Sequence, residues 1–575
     1  MLRPHIRAAP AASLTGKLGL QVGQAHVIRP SIAADRSPVR AMIIGAVDQE
    51  TADIGGAHVC EGDYLRACGH AAVIAPTAAG VKPLELAAAA ARAHMIGVTG
   101  KPEKGKVAPR RPNRTMHVAS SFFAETERFF RLATGSRFWQ FCRDVYPAMI
   151  AAALPWSTTA VIILLFLWII TLIPTIESQN FLRTLRRPAS LLPVIFFALA
   201  AIGILWAEGS WSAVFHGLGP PAKLLILPLL LYQYEYLSKS YQVFIAFLVS
   251  CTLLLAYSWL ILIVPALQFT TAHGFDTTGV PVRNAIDQNQ EFALCAFVLA
   301  SFAIATFRQR RPVAAVVAGL LAAIFLCNIL FVALARTSLV YIVPLAIIFA
   351  FWHFDRKMAL AVMAGLAVSI ALVWISSPYL RGRVEHIAIE YREYRETNRP
   401  TSTGQRLTYW KESLGWIKEA PLIGHGTGSA KQLFEAAARG KEGAWADRIS
   451  NPHNQTLYVA IQWGLLGCII LYAIWYSHCL LFLAPGLVAW IGFIVVVQNI
   501  LSSLLNSHLF DFSEGWIYVL GVGVAGGFHF RSEASRTGAP SGRIVFDRDV
   551  FTDLMELKSK IGRDPSERTA LREQR

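Results

Sequence analysis

Two stretches of this chain set chemically capable side chains at the mouths of helices: STGQRLTYWKESLGWIKEAPLIGHGTGS (402–429) and NPHNQTLYVAIQWGLLG (451–467). In the first, Leu407, Trp410, Leu414 and Ile417 repeat at helical spacing until Pro421 stops the run, which puts Arg406 in the first turn. Gly424-His425-Gly426-Thr427-Gly428 follows. It is either a turn whose backbone N–H groups, with His425 among them, present themselves to an anion, or a plain flexible turn before the next helix. In the second stretch His453 precedes a span that begins near Thr456, with Asn451 or Asn454 as the cap. A neutral imidazole held there accepts a proton near pH 7. Asn454, beside it, is a further candidate ligand contact.

Other polar groups approach the same boundary: Arg283 in GVPVRNAIDQNQEF, Arg336 in ARTSLV and Glu514 in NSHLFDFSEGW. An arginine at a helix end commonly snorkels to the headgroups. Arg336 resists that reading, because the turn between its two spans is very short. Several arginines plus a histidine point to an anionic ligand at a membrane surface, with Arg283, Arg336, His425, Asn454 and Glu514 as its binding candidates. Metal chemistry would want clustered carboxylates, and Asp276, Asp287, Asp511 and Glu514 are dispersed in sequence, so no metal is expected. Asp547-Arg548-Asp549 resembles a metal-binding DxD only in letters.

The elements that must hold these groups are membrane helices. Of 575 residues, 54% are hydrophobic and 16% charged, and the mean hydropathy is +0.44, too apolar for soluble domains of that length. A crossing takes roughly 20 apolar residues. About eleven such runs follow one another between residues 150 and 529: 156–175, 190–206, 222–234, 242–266, 291–307, 313–335, 338–353, 359–376, 456–475, 479–501 and 515–529. The fold class is therefore an all-α polytopic membrane protein of about 11 to 12 transmembrane helices.

Net charge +16 does not signal nucleic acid, since the Lys and Arg residues are scattered without an aromatic-studded basic module. Topology explains it. Arg183, Arg186 and Arg187, then Arg308, Arg310 and Arg311, then Arg356 and Lys357 mark cytoplasmic loops, whereas 207–221 and 502–514 carry neither Lys nor Arg. Segments 267–290, 377–455 and 502–514 then lie outside, and 377–455 is long enough to be a folded, working element with short helices. None of the eight cysteines falls in those external segments, and no disulfide framework or CxxC pair is visible.

Residues 1–115 are rich in Ala, Gly, Pro and Arg and read as a disordered extension without signal-peptide order; Met116 marks an alternative natural start. Residues 116–150 form an interfacial or re-entrant helical segment with Phe129, Phe130, Phe138, Trp139 and Phe141. A re-entrant helix before Pro155 would leave the N-terminus cytoplasmic; without it the N-terminus is outside. The membrane domain covers 151–530, and 531–575 is a polar cytoplasmic tail.

These segments, in this order, resemble the O-antigen ligase and polymerase superfamily of bacterial membrane glycosyltransferases, which includes exopolysaccharide polymerases. The likeness runs from about 155 to 529 and is carried by LWAEGSW (205–211), RNAIDQNQEFA (283–293), ARTS (335–338) and the two stretches quoted first. It implies a bacterial inner-membrane enzyme with its active site in a large periplasmic loop and no cofactor. It also implies transfer of a glycan from an undecaprenyl-diphosphate carrier to an acceptor hydroxyl, either a lipid A core sugar or the end of another carrier-linked glycan. By this resemblance His453 matches the family's essential loop histidine, Arg406 its loop arginine and Arg283 its further external arginine. Family members often show an acidic residue where this chain has Gln462, so the ExG pattern reads QWG. The partners implied are the carrier-linked glycan, the acceptor glycan or lipid A core and the lipid bilayer; the basic tail and N-terminal extension suggest polysaccharide export components, and no nucleic acid is expected. The alternative, a transporter or flippase of lipid-linked saccharides, calls for internal repeats and charged or broken mid-membrane helices. No repeat is evident.

Overall fold

The computed structural model describes residues 134–536, apart from Glu208, residues 239–240, residues 269–277 and Leu334. The N-terminal extension, its boundary near Met116, Asp276 and the tail after 536 lie outside the described residues. In chain order the helices are α1 (Arg137–Ala153), α2 (Thr158–Leu172), α3 (Ser178–Leu185), α4 (Pro188–Ile202), α5 (Trp211–Ala222), α6 (Ile226–Tyr232), α7 (Gln242–Ile263), α8 (Ala285–Arg308), α9 (Pro312–Phe331), α10 (Arg336–His353), α11 (Arg356–Ser376), α12 (Pro378–Thr397), α13 (Ser402–Glu419), α14 (Ser429–Ala438), α15 (Gln455–Leu481), α16 (Leu487–Ser502) and α17 (Phe512–Arg536). No strand occurs among the described residues.

Local chemistry sets the boundaries. Proline occupies the first turn of α4, α9 and α12, where its missing N–H costs nothing. Asn284 caps α8 by accepting from the N–H groups of Ile286 and Asp287 at 2.8 and 3.0 Å, and Thr401 caps α13 through the Gly404 N–H at 3.1 Å. Helix α13 therefore starts at Ser402, and Arg406 begins its second turn rather than sitting in the first.

By length and composition nine of the described helical runs could cross a bilayer, although one of them, Gln455–Leu481, is folded back on itself. The expected span at 479–501 is interrupted at 482–486, leaving α16 as a shorter apolar helix over Leu487–Ser502. Burial separates centre from rim. In α8, 61% of the apolar stretch is buried against protein, against 6% in α11. The α11 side chains Leu360, Val368, Leu372 and Ile375 are exposed, as lipid contact requires.

One expected span is not a single helix. At Gly464 the backbone takes φ 59° and ψ −152°, a combination essentially open to glycine alone. The Thr456 hydroxyl lies 2.9 Å from that of Tyr472, whereas sixteen residues along a straight helix span roughly 24 Å. The run from Gln455 is thus a hairpin. Its short arm, 455–463, is far below the roughly 20 residues a crossing needs, and the long arm continues over 465–481. The small residues at 456, 460, 464 and 467 accordingly serve the chain's own fold-back: Gly464 is the apex, and a Cβ on Gly467 would press on Trp463 and Val459. The backbone groups freed at the apex are taken up by the segment after α13. Leu465 and Leu466 donate to the carbonyls of Pro421 and Leu422 at 2.8 and 3.1 Å, while His425 and Gly426 donate to those of Ile461 and Gln462 at 2.9 Å each.

A Cβ at Gly464 would also stand 2.4 Å from the Leu422 carbonyl carbon. We expect Gly464→Ala to destabilise the fold by about 2 kcal/mol or more, read as a lower thermal unfolding midpoint in detergent. An unchanged midpoint would contradict the hairpin.

Candidate functional site

Residues 377–454 are mostly helical, and their packing places Arg406. Gly404 lets α13 lie on α12, because a Cβ there would sit 2.6 Å from the Tyr394 ring. Trp410 donates its indole N–H to the Pro452 carbonyl at 3.0 Å, tying α13 to the residues that precede the hairpin. From this helix Arg406 extends Nη2 to within 3.4 Å of Asn506 Oδ1.

His453 arrives from the other side. Its φ of 51° is uncommon for a residue other than glycine, and its N–H donates to Asn451 Oδ1 at 2.9 Å. Next to it Asn454 caps the short arm, accepting from Leu457 at 3.0 Å and donating to the Leu504 carbonyl at 2.9 Å. Further bonds join this turn to the connection between α16 and α17: the Gln455 N–H to the Ser503 carbonyl at 3.0 Å, the Leu509 N–H to Gln455 Oε1 at 3.1 Å and the Ser507 hydroxyl to Asn451 Oδ1 at 3.2 Å. That connection brings in Asn506 and His508. The Asn506 amide nitrogen lies 2.9 Å from His508 Nε2, so Asn506 stands between Arg406 and a second imidazole.

Both imidazoles are held neutral. Burial, followed by the charge of Arg406, lowers the pKa of His453 to about 3 against a hydrogen bond with Asn506 that works the other way. Burial, Arg406 and His453 bring His508 to about 3 as well. Burial pushes the carboxyl of Asp511 up to about 7 despite Lys223. Unfolded, each histidine titrates near 6.5. Between pH 6.5 and 3 the unfolded chain therefore takes up protons at these two histidines that the folded chain refuses, which lowers stability as the pH falls, while Asp511, raised from 3.8 to about 7, works in the opposite sense. His508→Gln removes one of the two destabilising contributions, so its unfolding midpoint should change less unfavourably than that of the wild type between pH 7 and pH 5; parallel slopes would mean that His508 is not held neutral by the fold.

Arg283 and Arg336 flank this cluster in different ways. Arg283, also at positive φ (59°), is buried. Its guanidinium lies 3.4 Å from Asp287, bonds the Ser513 hydroxyl and covers the Phe512 ring at 5.5 Å; Ser513 also donates to Asp287 at 2.6 Å. Arg336 makes a two-pronged pair with Glu390, 2.7 Å on each arm. Thr403 adds its N–H and hydroxyl to the same carboxylate at 3.1 and 2.6 Å. Burial alone would raise the pKa of Glu390, but the bonds from Arg336 and Thr403 outweigh it and hold the value at about 2. Burial and then the charge of Arg336 lower the pKa of Arg406, so the two guanidiniums act on one region.

The structure joins Arg406, His453, Asn506 and His508, with Glu514 3.7 Å from His508. It does not bring His425 there. That ring bonds the Trp416 carbonyl at 2.9 Å, roughly 15 Å along α13 from Arg406. The glycines around it serve close packing: at Gly424, Gly426 and Gly428, all at positive φ, a Cβ would meet the backbone of Gln462, Ala207 and Ala213. Gln462, at the position noted for its departure, accepts from the Gly428 N–H at 2.8 Å and so belongs to this packing. Asn454 spends one acceptor site on the cap and one amide N–H on the Leu504 carbonyl, which leaves its second N–H and second lone pair uncommitted to these bonds.

Sequence reasoning missed Asn506, His508 and Glu390. The density of polar groups in NSHLFDFSEGW was the available signal for the first two; nothing local marked Glu390. Carboxylates dispersed in sequence come together in space. Asp511 and Glu514 offer oxygens that, with His508, fall within 4.8 Å of one another, a nitrogen-plus-carboxylate set that suits a divalent cation. His508 Nε2 is already engaged by the Asn506 amide.

Residues 321–472 match the family model described as O-antigen ligase. That segment carries the likeness to the O-antigen ligase superfamily. The matched segment contains Arg336, Glu390, Arg406 and His453, while Arg283, Asn506, His508 and Glu514 reach the cluster from outside it. An uncharacterized protein of Haemophilus influenzae (strain ATCC 51907 / DSM 11121 / KW20 / Rd) is 28% identical over 129 residues, which make up 22% of this chain and 32% of that protein. The chain thus spans about a third of the length of that curated relative. The long apolar helices among the described residues, together with this match, point to a multi-pass membrane protein.

Proposed function

We propose that this protein transfers a glycan from an undecaprenyl-diphosphate carrier to the hydroxyl of an acceptor sugar, at the external, periplasmic face of the bacterial inner membrane. The observation that carries the reading is the meeting of Arg406 and His453, from two stretches of the 377–455 segment, across Asn506 of the connection between α16 and α17. The match of residues 321–472 to the O-antigen ligase family and the loops rich in Lys and Arg at the other ends of the helices support the donor class and the side.

The chemistry follows from the groups. As the acceptor oxygen bonds to the anomeric carbon, the bond from that carbon to the diphosphate oxygen breaks, and the electron pair leaves with the carrier diphosphate. Arg406 supplies planar donors to the charge that grows on the leaving group, with Arg336, held on both arms by Glu390, acting beside it. The acceptor hydroxyl gives its proton to His453. In the free protein burial, and after it the charge of Arg406, opposes protonation of that imidazole. A bound diphosphate offsets the second of these and so moves the histidine's basicity in the direction the step needs. His508 bonds the Asn506 amide and so helps to hold it in register, with Glu514 3.7 Å from the His508 ring.

The test supplies purified protein with a lipid-diphosphate oligosaccharide and either lipid A core or a second carrier-linked unit, then follows glycan length and attachment. Attachment to lipid A core makes the protein a ligase, and lengthening of the carrier-linked chain makes it a polymerase. No transfer to either sinks the proposal. The mechanism uses no metal, so EDTA should leave turnover within about twofold. Loss of activity that added Mg²⁺ or Zn²⁺ restores would instead assign His508, Asp511 and Glu514 to a cation.

A further inference from the structure

At the far end of the bundle lies a cavity that the proposed transfer does not use. Helix α8 begins beside Arg283 and ends at Arg308, roughly 35 Å away along its axis. There the ends of α8 and α10 and the connection between α15 and α16 border an open cavity of about 510 Å³ lined by Arg308, Trp352, His353, Ala305, Gly486 and Leu487 among others. Its polar groups suit an anion. Arg308 spends one nitrogen on the His353 carbonyl at 2.6 Å and forms no ion pair with a carboxylate among the described residues. The Nε2 atom of His353 is buried without a hydrogen-bond partner, its ring set against Phe349 and Trp490 at 4.6 and 4.9 Å. Helix α16 starts at the cavity wall with no side-chain cap, which leaves its first N–H groups without intrahelical acceptors. The adjoining chain adds Arg310, Arg311, Arg356 and Lys357 against the single carboxylate of Asp355.

The surroundings decide what carries the anion. Phe307, Phe351 and Met358 expose apolar side chains around this end of the bundle, at 69%, 52% and 51%, where acyl chains rather than water meet a membrane protein. We propose that the cavity binds the phosphate of an anionic phospholipid, with Arg308 and His353 on the headgroup and the neighbouring aromatic and aliphatic side chains along its tails. A free phosphate ester shares the headgroup chemistry but leaves that apolar rim unused.

The experiment titrates delipidated, detergent-purified full-length protein with dioleoyl-phosphatidylglycerol, dioleoyl-phosphatidylcholine or glycerol 3-phosphate and follows the unfolding midpoint. Phosphatidylglycerol should raise the midpoint saturably, and phosphatidylcholine should not. Arg308→Gln should weaken the apparent affinity about tenfold or more, with Arg308→Lys intermediate. Ala305→Trp, which fills the cavity and keeps the charge, should abolish the response; its midpoint without lipid reports whether it is folded, so a poorly folded Arg308 variant leaves the test intact. Equal stabilisation by phosphatidylcholine, or wild-type titrations in both the Gln and Trp variants, overturns the site. Saturation by glycerol 3-phosphate at the same affinity overturns the lipid assignment.

Discussion

Replacing His453 by alanine lowers kcat by about 100 to 10,000-fold and leaves KM for the carrier-linked donor within about twofold, because a general base acts on the acceptor proton in the transition state and not on the bound diphosphate. The position has φ 51°, so alanine adds backbone strain to the loss of the imidazole. His453→Asn separates the two effects. Asparagine tolerates the left-handed conformation but does not accept a proton usefully near pH 7. Both variants should be inactive while His453→Asn keeps the wild-type unfolding midpoint. If His453→Asn turned over normally, the general-base role would be withdrawn.

Arg406→Ala carries the second large effect, about 100-fold or more in kcat/KM, expressed in donor binding as well as in turnover. Two consequences add. The leaving diphosphate loses a charge-assisted donor of the kind worth about 2 to 4 kcal/mol in a water-poor site, and Asn506 loses a bond that helps to fix it between the imidazoles. Arg406→Lys should recover part of the binding and less of the rate, since an ammonium supplies charge without the planar fork. The substitution also removes a charge that opposes protonation of His453. The imidazole of Arg406→Ala should therefore titrate at a higher pH than in the wild type, which NMR of labelled histidine reads directly. Unchanged donor affinity together with an unshifted imidazole would remove Arg406 from the site.

The membrane domain and much of the cluster were legible in the sequence because their causes are local. A run of about 20 apolar residues needs no partner to declare itself in a bilayer, and the caps at Asn284 and Asn454 act within three residues of themselves. Arg406 and His453 stood out in the same way, as polar groups at the edges of periodic apolar runs. The hairpin at Gly464 was hidden for the opposite reason. Hydropathy is unchanged across the bend, and the bend is stabilised by carbonyls about forty residues earlier in the chain, a pairing invisible to any short window.

What the sequence by itself determined was the solvent, the helical class and the residue types available at one boundary. What only tertiary structure decided was their company. Asn506 and His508 meet Arg406 and His453, Glu390 engages Arg336, and His425 turns away to the Trp416 carbonyl. The physical reason is range. Apolar periodicity and capping are written over a few neighbouring residues, whereas charge pairing and the burial that shifts an imidazole depend on which distant segments pack together.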